Sequence, residues 1–103
     1  MRKIIFDLDR TLWRCTVEYH PRLKRPPIHK ETHEILHSLQ QKGYSLNIAS
    51  RSLEPKKCNY FLDKFFPNIT FDHRAIYYTP RTKFEHLYDI GITNGEFVMF
   101  DDE

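Results

Sequence analysis

Apolar residues in this 103-residue chain fall into short runs separated by helical stripes. The short runs are rich in β-branched and aromatic residues, which is the pattern of buried strands and extended segments. The predicted extended segments are 3–6, 44–49, 69–71, 75–78 and 97–100.

Between these segments, apolar residues recur at spacings of three and four and predict three helices. The helices are expected from about Lys30 to Lys42, from near Pro55 to Pro67, and from 79–82 to Gly91. The order β-α-β-α-β-α-β predicts one α/β domain, a three-layer sandwich with a parallel sheet of about four strands. Right-handed crossovers would place helices on both faces of that sheet.

The first predicted helix contains His33-Glu34-Ile35-Leu36-His37, which matches the H-E-x-x-H pattern of zinc proteases. At about 100° per residue, both histidines lie opposite the apolar stripe and are expected to face water. No downstream motif supplies a third ligand, so we reject a zinc hydrolase. The apolar stripe itself is Ile28, Thr32, Ile35, Leu36 and Leu39.

The composition predicts a packed globular domain, because 40% of the residues are apolar and eight are phenylalanine. A net charge of +2 does not argue for nucleic acid as a partner. Charged residues within the first nine positions argue against a secretory signal, and no apolar run approaches membrane-spanning length. Cys15 and Cys58 show no metal or redox spacing, so we expect a soluble, cytoplasmic protein.

Residues 13–27 form a long connection with three prolines and no clean periodicity. Such connections are usually lids or binding loops, and we call this segment the flap loop. Trp13 and Tyr19 are candidates for contacting substrate. The alternative, which we favour for Trp13, is that it packs the flap loop onto the sheet.

Charged and hydroxyl side chains follow the ends of three predicted strands, and parallel strands bring those ends to one edge of a sheet. Carboxylates at positions i and i+2 of an extended chain share one side, and their repulsion favours a cation between them. A further cation is expected before the third helix. The residues are Asp7 and Asp9, Ser50 and Arg51, Asp101 and Asp102, and Arg81 or Lys83.

These residue types suit phosphoryl transfer. Carboxylates bind Mg²⁺, and a free carboxylate can attack phosphorus to form an aspartyl-phosphate. A hydroxyl group and a cation can neutralise the oxygens of the transferring phosphoryl group.

Three segments then resemble a known family: F-D-L-D-R-T-L-W at 6–13, A-S-R-S at 49–52 and F-D-D-E at 100–103. They resemble the haloacid dehalogenase superfamily of aspartate-nucleophile phosphatases, and within it the small, capless magnesium-dependent phosphatases. The resemblance runs over nearly the whole chain, and implies a single Rossmann-like domain at 1–103 with no cap domain. It implies a Mg²⁺-dependent phosphatase acting on phosphate monoesters, with a phosphorylated protein, such as a phosphotyrosine protein, or a sugar phosphate as substrate.

The resemblance also implies roles for the residues after the first two strands. Asp7 would be the nucleophile and a metal ligand. Asp9 would protonate the leaving oxygen and later activate water, with its backbone carbonyl on the metal. Ser50 would bind the transferring phosphoryl group, with Arg51 beside it.

The final acidic pair completes the implied metal site. Alternation along the strand lets one of the two point inward, and the family pattern favours Asp102 as the ligand. Asp101 and Thr11 would support the ligands from further out. For the cation before the third helix we favour Arg81, with Lys83 as the fallback.

The chain departs from the family pattern in three ways. Arg10 follows Asp9 where the superfamily commonly has glycine, the phosphate-binding lysine has no unambiguous match, and relatives continue past F-D-D-E with another strand and helix. The chain is therefore either a minimal or a truncated form, and an uncovered sheet edge predicts a homodimer. These departures motivate the alternative function, a catalytically weak or inactive protein that binds phosphate groups.

Overall fold

A computed structural model of the protein describes residues 2–78, 84–91 and 97–100. The elements are β1 Lys3–Phe6, a 3-10 turn at Val17–Tyr19, α1 Lys30–Gln41, β2 Ser45–Ser50, α2 Pro55–Phe65, β3 His73–Ile76, α3 Phe84–Ile90 and β4 Phe97–Phe100. Within the described ranges, no helix combines the length and apolar character needed to span a membrane.

The strands form one sheet in the order β3-β2-β1-β4, and every neighbouring pair is parallel. Phe6 at the end of β1 is paired with Ile48 on one side and Phe100 on the other. Ser50 at the end of β2 is paired with Ile76. The carboxyl ends of the strands therefore lie along one edge, and the predicted α/β class with a parallel sheet is confirmed.

Apolar side chains pack on both faces of the sheet, which explains why the strands read as continuous apolar runs. Ile4 and Phe6 of β1 belong to the larger core, together with residues from α1 and α2. Ile5, between them, points to the opposite face and joins a smaller core that includes Ile90 of α3. Successive residues of the strand thus point to opposite faces of the sheet, and helices cover both faces.

The orientation predicted for α1 is wrong for two residues. Ile35, expected in the core stripe, is 55% exposed. His33, expected to face water, is half-buried, stacks on Phe66 with 4.5 Å between ring centroids, and donates through Nε2 to the Phe65 carbonyl (2.7 Å). The helix docks around Leu36 but is rotated, because the aromatic residues after α2 give His33 a stacking partner that periodicity alone does not reveal.

The predicted extended segment at 69–71 is not a strand, although Ile69 and Phe71 are buried in the larger core. The Asp72 N–H donates to the Leu46 carbonyl (2.8 Å), and β3 begins at the next residue. The predicted segment at 75–78 therefore corresponds to β3, which starts and ends two residues earlier. The predicted start of the third helix, at 79–82, lies outside the described residues.

Candidate active site

A cavity of about 630 Å³ lies at the carboxyl edge of the sheet. Four of the sequence-predicted site residues line it, namely Asp7, Asp9, Ser50 and Arg51. The structure therefore brings together the polar residues that follow β1 and end β2. The predicted residues Arg81, Lys83, Asp101 and Asp102 lie outside the described residues.

Two of the lining residues are held directly by the sheet. Asp7 follows the last residue of β1 and is 7% exposed, and its Oδ1 accepts a hydrogen bond from the Leu8 N–H (2.8 Å). Ser50 is the last residue of β2 and is 1% exposed. A carboxylate and a hydroxyl group at this depth keep little freedom to rotate, so the two strands fix their positions.

Asp9 is held by the flap loop instead. Its Oδ1 accepts two hydrogen bonds, one from the indole N–H of Trp13 (2.9 Å) and one from the backbone N–H of Val17 (3.1 Å). Trp13 is 1% exposed and packs edge-on against Phe61, with 5.8 Å between ring centroids. Trp13 therefore packs in the core, as favoured from the sequence, while Tyr19 is 75% exposed and lines the cavity.

The turn after Asp9 requires an unusual backbone conformation at Arg10, whose φ is +64°. This is the left-handed region that glycine adopts without steric cost. The Leu8 carbonyl closes the turn by accepting from the backbone N–H groups of Thr11 (3.0 Å) and Leu12 (2.9 Å). An arginine in this conformation therefore strains the turn that presents Asp9.

The flap loop is tied to the start of α2 by long-range hydrogen bonds. Glu18 accepts from the Leu53 N–H through Oε2 (3.1 Å), and Lys57 donates to the carbonyls of His20 (2.9 Å) and Pro21 (3.0 Å). These bonds hold the 3-10 turn of the flap loop beside the cavity. Residues of the flap loop thus form one wall of the cavity.

Sequence reasoning missed several residues that line the cavity, including Arg10, Arg14 and Tyr78. Tyr78 is 56% exposed, and the Arg51 guanidinium lies 5.8 Å from its ring centroid. It follows β3 by two residues, so the rule that parallel strand ends meet at one edge could have identified it. The two arginines lie in loops for which the sequence offers no such rule.

Thr11, predicted to support the site from further out, has a buried hydroxyl group. Its Oγ1 has no hydrogen-bond partner within the described part of the chain. An unsatisfied buried hydroxyl group costs about 1–3 kcal/mol. The residue lies in the turn that follows Asp9, which is where the sequence placed the site.

Neither cysteine is activated for nucleophilic chemistry. Burial raises the pKa of the Cys15 thiol, and the nearby Asp9 carboxylate raises it further, against a smaller opposing effect of Lys57. Burial raises the pKa of the Cys58 thiol to about 11. Since the thiolate is the nucleophile, both side chains stay protonated and inert at neutral pH.

The donor set at the cavity is suited to a hard cation. Within residues 2–78, 84–91 and 97–100, no group of three or more His, Cys, Asp or Glu residues is arranged to hold a metal ion. Mg²⁺ in phosphate-processing sites uses one or two carboxylates and keeps several waters. Asp7 and Asp9, which line the same cavity, carry oxygen donors of the kind that Mg²⁺ binds, so the chemistry of the described residues is compatible with Mg²⁺.

Comparison with known proteins adds a direct relative. No family model matches the chain. The chain is 34% identical to the human protein magnesium-dependent phosphatase 1, in an alignment that takes in 96% of this chain and 66% of that protein. It thus spans about two thirds of the relative's length. The resemblance seen in the sequence motifs is confirmed, and the chain belongs to the magnesium-dependent phosphatase family of the haloacid dehalogenase superfamily.

Proposed function

We propose that this protein is a Mg²⁺-dependent phosphatase that hydrolyses phosphate monoesters through an aspartyl-phosphate on Asp7. The observation that carries the proposal is that Asp7, Asp9, Ser50 and Arg51 line one cavity at the carboxyl edge of a parallel sheet. The identity to a protein named magnesium-dependent phosphatase 1 supports both the reaction type and the metal.

In the proposed reaction, a carboxylate oxygen of Asp7 attacks phosphorus and the bond to the ester oxygen breaks. Asp9 donates its proton to that oxygen, so the alcohol leaves neutral. The Asp9 carboxylate then takes a proton from water, and the resulting hydroxide attacks the phosphorus of the aspartyl-phosphate. Inorganic phosphate leaves and Asp7 is regenerated. The Ser50 hydroxyl and the Arg51 guanidinium would contact the phosphoryl oxygens.

The Mg²⁺ would be held by the Asp7 carboxylate, the Asp9 main-chain carbonyl and Asp102. When bound, the cation neutralises negative charge on the phosphoryl group and on the carboxylates around it. Thr11 and Asp101 would support these ligands. The last described residue of β4, Phe100, is paired with Phe6, and this register supports a position for the final acidic pair beside Asp7.

A second cation is proposed to neutralise the phosphoryl group from the segment before α3. We favour Arg81 over Lys83. A planar guanidinium would then contact the phosphoryl group in place of the point charge of a lysine. No cap domain is proposed, so the cavity would be open to bulky esters. A phosphoprotein, including one phosphorylated on tyrosine, and a sugar phosphate are the proposed substrate classes.

The test is Mg²⁺-dependent turnover of 4-nitrophenyl phosphate by the wild type and by Asp7→Asn. Loss of the nucleophile should lower kcat by about 10³-fold or more. The matched control is Asp63→Asn, the same chemical change at an exposed carboxylate that pairs with Arg74 at 2.8 Å, and it should leave kcat unchanged. A wild type that only binds phosphate stoichiometrically would refute the proposal in favour of a non-enzymatic phosphate binder.

The same assay extends to phosphopeptides, sugar phosphates and nucleotides as a substrate panel. The class with the highest kcat/KM identifies the preferred leaving group.

A further inference from the structure

The Asp9 carboxylate receives two hydrogen bonds on the same oxygen. Within the described part of the chain, the Trp13 indole and the Val17 backbone N–H both donate to Oδ1, at 2.9 Å and 3.1 Å. A carboxylate oxygen has about two lone-pair sites, so both sites of Oδ1 are taken by fixed donors. A proton carried by Asp9 is therefore directed to Oδ2.

We propose that Trp13 is a positioning residue for the acid-base function of Asp9. Its indole N–H fixes the rotation of the carboxylate and keeps the proton on Oδ2, the oxygen left for the leaving group. This inference rests on the proposed function, in which Asp9 protonates the ester oxygen. It assigns to Trp13 a role in the proton-transfer step in addition to its packing.

The surroundings of Trp13 make it a rigid donor. The ring is 1% exposed and packs edge-on against Phe61 of α2, at 5.8 Å between centroids. A buried indole N–H needs an acceptor, and an indole locked between the core and Asp9 cannot turn away from it. Val17, the other donor, begins the 3-10 turn of the flap loop, so the flap loop and the core orient the same oxygen.

A structural role and a positioning role predict different kinetics across leaving groups. The ester of a weakly basic phenol needs little protonation as it departs, whereas an alkyl ester depends on the acid. Trp13→Phe should therefore lower kcat/KM, which reports the steps up to departure of the alcohol and not the later hydrolysis of the aspartyl-phosphate, by about 10–100-fold for an alkyl phosphate and by about 3-fold or less for 4-nitrophenyl phosphate. The dissociation constant of either ester should change little, since neither proposed phosphate contact is altered.

Two further variants separate the N–H group from the packing. Phe61→Leu disturbs the same aromatic contact but keeps the indole N–H, so any loss of kcat/KM should be equal for both esters. Because Trp13 is the only tryptophan in the chain, replacing it by benzothienylalanine during chemical synthesis exchanges N–H for sulfur in a ring of the same shape. This analogue should show the same selective loss for alkyl esters as Trp13→Phe, and it keeps the test decisive if the phenylalanine variant fails to fold.

The hydrogen bond itself can be tested without turnover. The single indole N–H gives one resonance in a ¹⁵N–¹H spectrum, and Asp9→Ala should move it upfield and speed its exchange with water. An indole resonance unaffected by Asp9→Ala, or an equal loss of kcat/KM for all esters in the benzothienyl protein, would overturn the inference alone. A wild type inactive towards every ester would overturn the proposed function and the positioning role together.

Discussion

Arg10 holds a left-handed backbone conformation, with φ at +64°, in the turn that presents Asp9. An L-residue pays about 1–2 kcal/mol for this conformation, and glycine does not. Glycine is also more flexible in the unfolded chain, which offsets about 0.5–1 kcal/mol of that gain. Arg10→Gly should therefore raise the free energy of unfolding by about 0.5–1 kcal/mol, or Tm by about 2–8 °C for a domain of this size.

Urea unfolding measures this prediction directly, because a change in midpoint at constant m-value is a change in stability. The matched control is Arg10→Ala, which removes the guanidinium but keeps the Cβ atom and hence the strain. We expect no gain in stability from the alanine variant. The strain argument is refuted if the glycine variant is no more stable than the wild type. It is also refuted if alanine stabilises as much as glycine, since the gain would then come from removing charge.

Three other predictions concern the flap loop, a buried thiol and a helix end. Lys57→Met removes the donor to two carbonyls of the flap loop, so limited proteolysis should cut that loop faster than in the exposed-lysine control Lys56→Met. The pKa of Cys58 is raised from 9.0 to about 11, so the protonated thiol stabilises the folded protein. This stabilisation is fully present below pH 9 and is lost as the pH rises through 11. Between pH 8 and pH 11, the free energy of unfolding measured in urea should therefore fall by about 2–3 kcal/mol less in Cys58→Ala than in the wild type. An equal fall with pH in the two proteins would contradict the prediction. Gly43 has φ at +86° and open space around it, so its substitution by alanine should lower the free energy of unfolding by about 1–2 kcal/mol. Substitution by asparagine should lower it less, and thermal unfolding of both variants tests that order.

Strand positions and strand ends were predictable because they depend on local pattern and on one rule of parallel sheets. The apolar run 3–6 coincides with β1, and 97–100 coincides with β4. Once the strands are parallel, the residues that follow them must share an edge, which is how Asp7 and Ser50 come to line one cavity. This part of the site needs no knowledge of loop conformation.

Contacts that depend on docking angles and turn geometry were not predictable. The periodicity of α1 identifies an apolar face but not its rotation, and His33 is half-buried because Phe66 offers it a stacking surface. The bonds that orient Asp9 depend on a tight turn that brings Trp13 back four residues. Sequence spacing does not reveal this turn, since the conformation of Arg10 within it is one that arginine rarely adopts.

The nucleophile and the acid of the proposed reaction therefore have different structural supports. Asp7 directly follows β1, a central strand of the sheet, whereas the Asp9 carboxylate is oriented by donors that belong to the flap loop. The flap loop is in turn tied to α2 through Lys57. Because the two supports are separate, loosening the flap loop should slow proton transfer to the leaving group more than attack on phosphorus. Lys57→Met should then reproduce, more weakly, the leaving-group dependence of kcat/KM expected of Trp13→Phe, and an equal loss of kcat/KM for alkyl and aryl esters would refute this link between the flap loop and proton transfer.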